Sequence, residues 1–502
     1  MPSLLGIDNG LTVTKAVVFD AAGAPLAVAR RRVPQSIPRP HHVERDMDGL
    51  WTATAQAIAD AISASGRPAA DIAAVAATAH GDGIYLLDAD RRPLGPAILS
   101  LDSRAGAIAE AWTGGPVGPQ ALTLTGQLPH ASAPSALLAW IRDHDPGRYA
   151  RIATAFACKD WLRFCLTGAL ATDRTEASTS FTDVRTQAWS PEALRLFGLD
   201  ALAHALPPIV HSAAIAGHVT PEAAALTGLL PGTPVAAGLH DVTASALGIG
   251  GHAPGILAIV AGTYSINETV ATEPLTDPRW FCRNAIEPGR WNAMAISPAS
   301  AANYDWFLDT LCRADQDAAG PEIHALLAAE IDAALAKPST ALFHPYLFGS
   351  PHGPTASASF LGLRAWHDRG TLLRAVLEGI AFNHRVHLDA LSDGFPVREA
   401  RLTGGASRNP AFAQLFADIL AMPVTVTDTE EAAAWGAALC AGAAVGLFPS
   451  PLDDPRDLTG HAFRPDPSRS AAYETRYRLH CRLAETLAPL WPEIDALAGP
   501  EP

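Results

Sequence analysis

Two acids in this chain sit where chemistry is commonly done. Asp8 ends an apolar run and is followed at once by Asn9-Gly10, then by Thr12, Thr14 and Lys15 in GIDNGLTVTKAVVFD. An Asn-Gly pair between apolar runs predicts a hairpin turn, because both turn positions must tolerate positive φ. A carboxylate able to hold a hydrated Mg²⁺, two hydroxyls and one ammonium then crowd a turn whose backbone can approach a polyphosphate. A plain edge hairpin fits the same residues. Asp241, in GLHDVTASALG (238–248), lies between a buried strand and a helix of small residues. It suits a helix N-terminal acid favoured by the dipole. It equally suits a general base at a strand end, where α/β folds gather ligands. Phosphoryl transfer needs such a group within hydrogen-bond reach of the attacking hydroxyl.

Two glycine turns extend the pattern. Gly262 and Thr263, in AGTYSIN (261–267), offer backbone N–H groups and a hydroxyl as the opening turn does. Gly404 and Gly405, in LTGGASRNP, follow a strand and leave room for a flat ring against the backbone, and Asn409-Pro410 starts a helix with a good N-cap. A bare hairpin and a tight strand-to-helix connection are the structural alternatives for these two.

The elements that must position these groups follow from periodicity. Strands are expected at the start of the chain, at 24–32, 72–77, 83–88, 235–238, 255–260, 265–270 and 397–402, with helices at 50–65, 242–247 and 372–390. Strand–turn–strand recurs about 250 residues after its first appearance, which suggests two halves on one plan divided at the glycines of 248–255. The chain is therefore expected to be α/β, with domains at 1–248 and 249–448 and a peripheral helical tail at 449–502. The window 432–448, rich in Ala and Gly, reads as a closely packed interior helix and not as a membrane span.

Composition narrows the classes. With 502 residues, 48% of them apolar, the chain can bury two large cores. A net charge of −15 argues against generic nucleic-acid or anionic-membrane binding. Six cysteines without a CxxC pair or metal-ligand spacing read as reduced thiols, and no signal-peptide pattern opens the chain, so a cytoplasmic soluble protein is expected.

Together the four motifs resemble the FGGY carbohydrate kinases of the actin-like ATPase superfamily, in the family's order from Leu4 to about Phe448. KDWLRFCLTG (159–168) with ATDRTEAS, LDSRA (101–105), FLGLRAWHDRGTLLRAVLEGIAF (360–382) and EEAAAWGAALCAGAAVGLF (430–448) also fit. The resemblance implies two ribonuclease-H-like domains with a central cleft that closes over ATP and sugar, and often a homodimer. It assigns Asp8 to Mg²⁺, held through water, with Asp241 beside it. Asp241 is also the base that takes the sugar hydroxyl's proton. Thr12, Lys15, Gly262 and Thr263 fall at the phosphate turns, and Gly404, Gly405 and Asn409 at the adenosine loop. Leu11 stands where a Thr is usual, Tyr264 where a small residue is usual, and a lysine expected around 132–140 is missing.

The segment TAHGDGIYLLD (78–88) aligns with the family's sugar-contacting stretch, so His80, Gly81 and Asp82 are expected to touch the substrate with Asp102 and Arg104. Asp82 replaces a sugar-binding His; closing a glycine-flanked turn is its structural alternative. HGDG followed by ILSLDSRA looks like the L-xylulose and erythritol kinase branch. The substrate expected is a ketopentose such as L-xylulose, then an alditol such as erythritol. A non-catalytic ATP-dependent switch or sugar sensor is the rival.

Overall fold

The computed structural model describes residues 2–262, 264–353 and 355–498. Two compact units are interleaved along the chain. The first comprises Met1–His252, Val270–Ala293 and Thr429–Asp457; the second comprises Ala253–Thr269, Met294–Asp428 and Leu458–Pro502. The first unit thus runs past residue 248 and takes back two later segments, and Pro449–Asp457 stays with it.

In the first unit, Ser3–Asn9 and Val13–Asp20 pair antiparallel with Asp8 opposite Lys15, and Pro25–Arg32 extends that edge. On the other side Ile72–Ala79 runs parallel to Ser3–Asn9, and Pro234–Ala236 and Leu239–His240 run parallel to Ile72–Ala79. Alternate residues of each strand face opposite layers. Leu5 and Ile7 meet Leu50, Ile58 and Trp161, while Leu4 and Val17 meet Leu247, Trp435 and Ala438. The Ala- and Gly-rich segment forms the helix Ala432–Ala444 in this second layer. A Cβ at Gly436 would overlap the Ala244 carbonyl, and one at Gly248 the Ala432 carbonyl. Small residues there let the Asp241 helix and this helix approach backbone to backbone.

The opening turn differs from the expected Asn-Gly turn. Neither Asn9 nor Gly10 takes a positive φ. Asn9 remains in the strand opposite Thr14, and Gly10 N–H donates to the Val13 carbonyl at 2.9 Å across a longer loop. The cause is the Asn9 side chain, which turns into the core and donates to Cys158 Sγ at 3.0 Å. Thr14 also turns inward, its hydroxyl 3.2 Å from that of Thr54. Only Thr12 presents a threonine side chain to solvent there.

The second unit repeats the plan. Ile256–Ala261 and Ser265–Ala271 pair antiparallel, Glu399–Thr403 runs parallel to the first of them, Val424–Val426 follows in parallel, and His461–Phe463 closes the edge. No helix among the described residues is long and apolar enough to cross a membrane.

Candidate active site

Three neighbouring parallel strands of the first unit end together, and each delivers an acid. Ser3–Asn9 carries Asp8, the loop after Ile72–Ala79 carries Asp82, and Leu239–His240 leads into Asp241. This is the edge of an open α/β sheet at which ligands gather.

The backbone before Asp241 is held from several sides. Thr78 Oγ1 donates to the Leu239 carbonyl at 2.7 Å, and His240 N–H donates to Thr175 Oγ1 at 2.9 Å. Asp241 then opens the helix Asp241–Gly248, and its Oδ1 accepts from Val242 N–H at 2.7 Å. Its side chain is one-third exposed (33%), so it is both confined and reachable. Burial, reinforced by the nearby Asp8 carboxylate, pushes Asp241 up to about 7, while the Val242 hydrogen bond and Arg283 pull the other way.

Asp8 is less exposed, at 17%. Burial raises its pKa against the pull of Lys15, whose Nζ lies 3.4 Å away. Lys15 Nζ also meets Glu431 at 3.1 Å, and Glu431 is itself paired with Arg30. Burial alone would lower Lys15, but the two carboxylates hold it above its ordinary value. Glu431 carried no role in the sequence reading, although its segment did; it lies 416 residues from Lys15 and no spacing joins them. Arg45 is likewise new: buried beneath the loop, it donates to the Leu11 carbonyl, which also accepts from Gln35 Nε2 at 2.7 Å.

The His80–Gly83 loop abuts this site. His80 N–H donates to the Asn9 carbonyl at 2.9 Å, its ring lies 3.3 Å from the Tyr85 hydroxyl, and burial pushes it down to about 3. A Cβ at Gly81 would overlap the His240 ring. Burial likewise takes His240 down to about 4, so both imidazoles are neutral at pH 7. Asp82 does occupy a left-handed turn, φ 55°, but its carboxylate is also bound by Arg283 Nη2 at 3.0 Å.

Asp102 and Arg104 bind each other. Arg104 Nε and Nη2 clasp Asp102 at 2.9 and 2.8 Å, Asp102 also accepts from Val43 N–H at 2.7 Å, and Arg104 Nη2 reaches Glu44 at 2.7 Å. With side chains 3% and 0% exposed, this pair is satisfied internally.

In the second unit Gly404 adopts φ 118°, and a Cβ there would overlap the Ala261 carbonyl on the neighbouring strand. The open space expected for a flat ring lies instead at Gly405, where an added Cβ meets nothing within 4 Å. Asn409 caps the helix Pro410–Leu420, its Oδ1 accepting from Ala411 N–H at 2.9 Å. The Gly262 carbonyl accepts from Ala301 N–H at 2.9 Å; Thr263 lies outside the described residues.

Among the described residues no group of three or more His, Cys, Asp or Glu side chains could hold a metal ion. Asp8 and Asp241, two carboxylates of which the first disfavours ionisation of the second, nevertheless fit Mg²⁺. That ion keeps several waters and takes one or two carboxylates beside the phosphates of its substrate.

Comparison with known proteins gives the family. Residues 3–248 match the N-terminal domain of the FGGY family of carbohydrate kinases, and residues 257–445 match its C-terminal domain. The L-xylulose/3-keto-L-gulonate kinase of Escherichia coli is 32% identical over 96% of this chain and 97% of its own. The erythritol kinase of Brucella abortus is 30% identical over 98% and 97%. The crystal structure of xylulose kinase from Rhodospirillum rubrum superposes with a TM-score of 0.84 at 28% identity, covering 97% of this chain and 99% of that one. The chain belongs to the FGGY family of carbohydrate kinases, phosphotransferases with an alcohol group as acceptor, and has their two-domain actin-like ATPase fold.

Proposed function

We propose that this carbohydrate kinase transfers the γ-phosphoryl group of ATP to a hydroxyl of a ketopentose of the L-xylulose type, with Asp241 as the base. The observation that carries the reading is the Asp241 carboxyl, one-third exposed at a strand end and pushed up to about 7. A base poised near the working pH combines availability with proton affinity. With Oδ1 accepting from Val242 N–H, the Asp241 carboxylate keeps the capacity to receive the hydroxyl proton as the new O–P bond forms and ADP leaves.

Asp8 and Asp241 would hold Mg²⁺ through water, and the ion when bound supplies neutralisation of charge on the phosphates. Thr12 and Lys15 are assigned to the phosphates on the opening loop, Gly262 and Thr263 on the second turn. Glu431 holds Lys15 in place at 3.1 Å, so Lys15 reaches the nucleotide from a fixed position. Gly405 gives the adenine its open backbone, and Gly404 and Asn409 shape that loop.

A ketopentose is supported by the HGDG and ILSLDSRA segments and by the names of the Escherichia coli and Rhodospirillum rubrum proteins. An alditol is the second reading, favoured by the Brucella abortus relative. A non-catalytic sensor would need the nucleotide turns but no base tuned near neutrality.

Coupled ADP release across ketopentoses, tetritols and pentitols tests the proposal. The highest kcat/KM is expected with a ketopentose. Asp241→Asn should lower kcat by about 10²–10⁴-fold while still binding ATP; unchanged turnover in that variant would sink the mechanism.

A further inference from the structure

Arg283 is built into the first unit as a fixed cation. Its side chain is 2% exposed, lies over the Phe281 ring at 4.8 Å, and donates through Nε to Gln127 Oε1 at 2.9 Å. Gln127 is pinned in turn, its amide donating to the carbonyls of Ser178 and Thr179 at 3.0 and 2.6 Å. The guanidinium can therefore point in one direction only, and there it meets Asp82 Oδ1 at 3.0 Å. His130 Nε2 stands 3.8 Å from the same oxygen. Asp82 is held just as firmly by its left-handed backbone beside Gly83, whose N–H donates to the Ser132 carbonyl at 2.9 Å. Both contacts fall on Oδ1, and the side chain is 19% exposed, so the carboxylate keeps capacity to accept a further hydrogen bond.

The local charge balance follows. Arg283 holds Asp82 ionised although burial opposes it. Burial keeps His130 below its ordinary pKa, so it adds no charge at neutral pH. Lys15 is paired with Asp8 and Glu431. Among the described residues the ion partner of Asp82 is Arg283, and the two charges cancel.

We propose that the Asp82–Arg283 pair is a charge filter, which makes the site accept uncharged polyhydroxylated substrates and reject sugar acids. The proposal rests on the sugar-kinase reading above. The Asp82 carboxylate accepts from a neutral sugar hydroxyl. A substrate carboxylate meets the Asp82 carboxylate instead, with Arg283 already taken, and like charges so placed are strongly unfavourable. Removing the charge of Asp82 frees a rigid guanidinium whose fork suits a carboxylate.

The test compares L-xylulose and xylitol with L-xylonate on the full-length protein. Wild type should show kcat/KM for xylonate about 100-fold or more below that for the better neutral compound. Asp82→Asn should shift the ratio toward xylonate by about tenfold or more, and Asp82→Asn with Arg283→Met should abolish the shift. The ratio within one variant cancels any loss of folded protein. Calorimetric binding of xylonate alone to the three proteins should follow the same order. Wild type using xylonate within about threefold of the neutral compound would overturn the filter, as would an Asp82→Asn variant with unchanged ratio and unchanged xylonate affinity. If no neutral compound releases ADP, the kinase reading of the substrate fails, and the calorimetric order still decides the filter.

Discussion

Asp241 and Asp173 are both acids of the first unit, and the structure treats them oppositely. Asp173 is fully buried and fully answered. Lys159 Nζ lies 3.0 Å from it, Ser212 Oγ donates at 2.7 Å, and Thr175 donates through both N–H and Oγ1 at 2.9 and 2.8 Å. These partners lower its pKa although burial alone would raise it. Asp241 keeps one strong backbone hydrogen bond, stands near Asp8, and titrates at about 7. A buried acid that is answered serves the fold, and one left partly unanswered is available to a substrate. Thr175 joins the two, since its hydroxyl donates to Asp173 and accepts from His240 N–H, one residue before Asp241.

Exchanging the charges breaks the comparison most sharply. Asp241→Asn should abolish most turnover yet leave stability above pH 7 no lower than wild type, as read by urea unfolding. The opposite pattern is expected of Lys159→Met, which strands Asp160 and Asp173 without their ammonium. It should lose about 3–5 kcal/mol in the same unfolding measurement.

Titration sharpens the contrast. Asp241 must be ionised to act, so kcat/KM should rise with pH through about 7 and level off above it. Asp8→Asn removes a charge that raises this value and should move the midpoint to lower pH; an upward move would contradict the electrostatic account. In stability the two acids have opposite signs. Asp241 holds its proton more tightly when folded, so its ionisation removes stability as pH rises from about 4 to 7. Asp173 holds its proton less tightly when folded, so its contribution is present above about pH 4 and is lost as pH falls through its depressed folded value. The smallest effect is expected for Thr175→Val, about 0.5–1.5 kcal/mol of stability for the neutral hydrogen bond from His240 N–H and about 1.5–3 kcal/mol for the one to the Asp173 carboxylate. It should also lower kcat more than it raises KM, because it loosens the backbone before the base.

Much of the fold was legible along the chain. The doubled strand–turn–strand plan, the strand ahead of His240-Asp241 and the interior Ala/Gly helix all arise from local periodicity and small-residue runs. The opening turn was misread because Asn9 spends its amide on Cys158, 149 residues away, and such a partner overrides turn propensity. Asp102 and Arg104 clasp each other, a contact that their spacing did not announce. Two polar residues two positions apart satisfied each other, and spacing alone cannot tell a pair facing a ligand from a pair facing itself. KDW and ATDRTEAS were recognised as segments, but that Lys159 and Asp173 meet there, and that Thr175 carries their order to His240, needs all three elements in place.

By itself the sequence determined which side chains could do chemistry: Asp8, Asp82 and Asp241, the glycine turns, and an ammonium at Lys15 in a chain with three lysines. Tertiary structure alone decided their states. Glu431 reaches Lys15 across 416 residues and Arg283 reaches Asp82 across 201. The proton affinity of Asp241 is a sum of burial, Asp8, Asp82 and Arg283. Residue type and order are local properties, whereas desolvation and Coulomb energy depend on every charge and every layer of protein gathered around an atom.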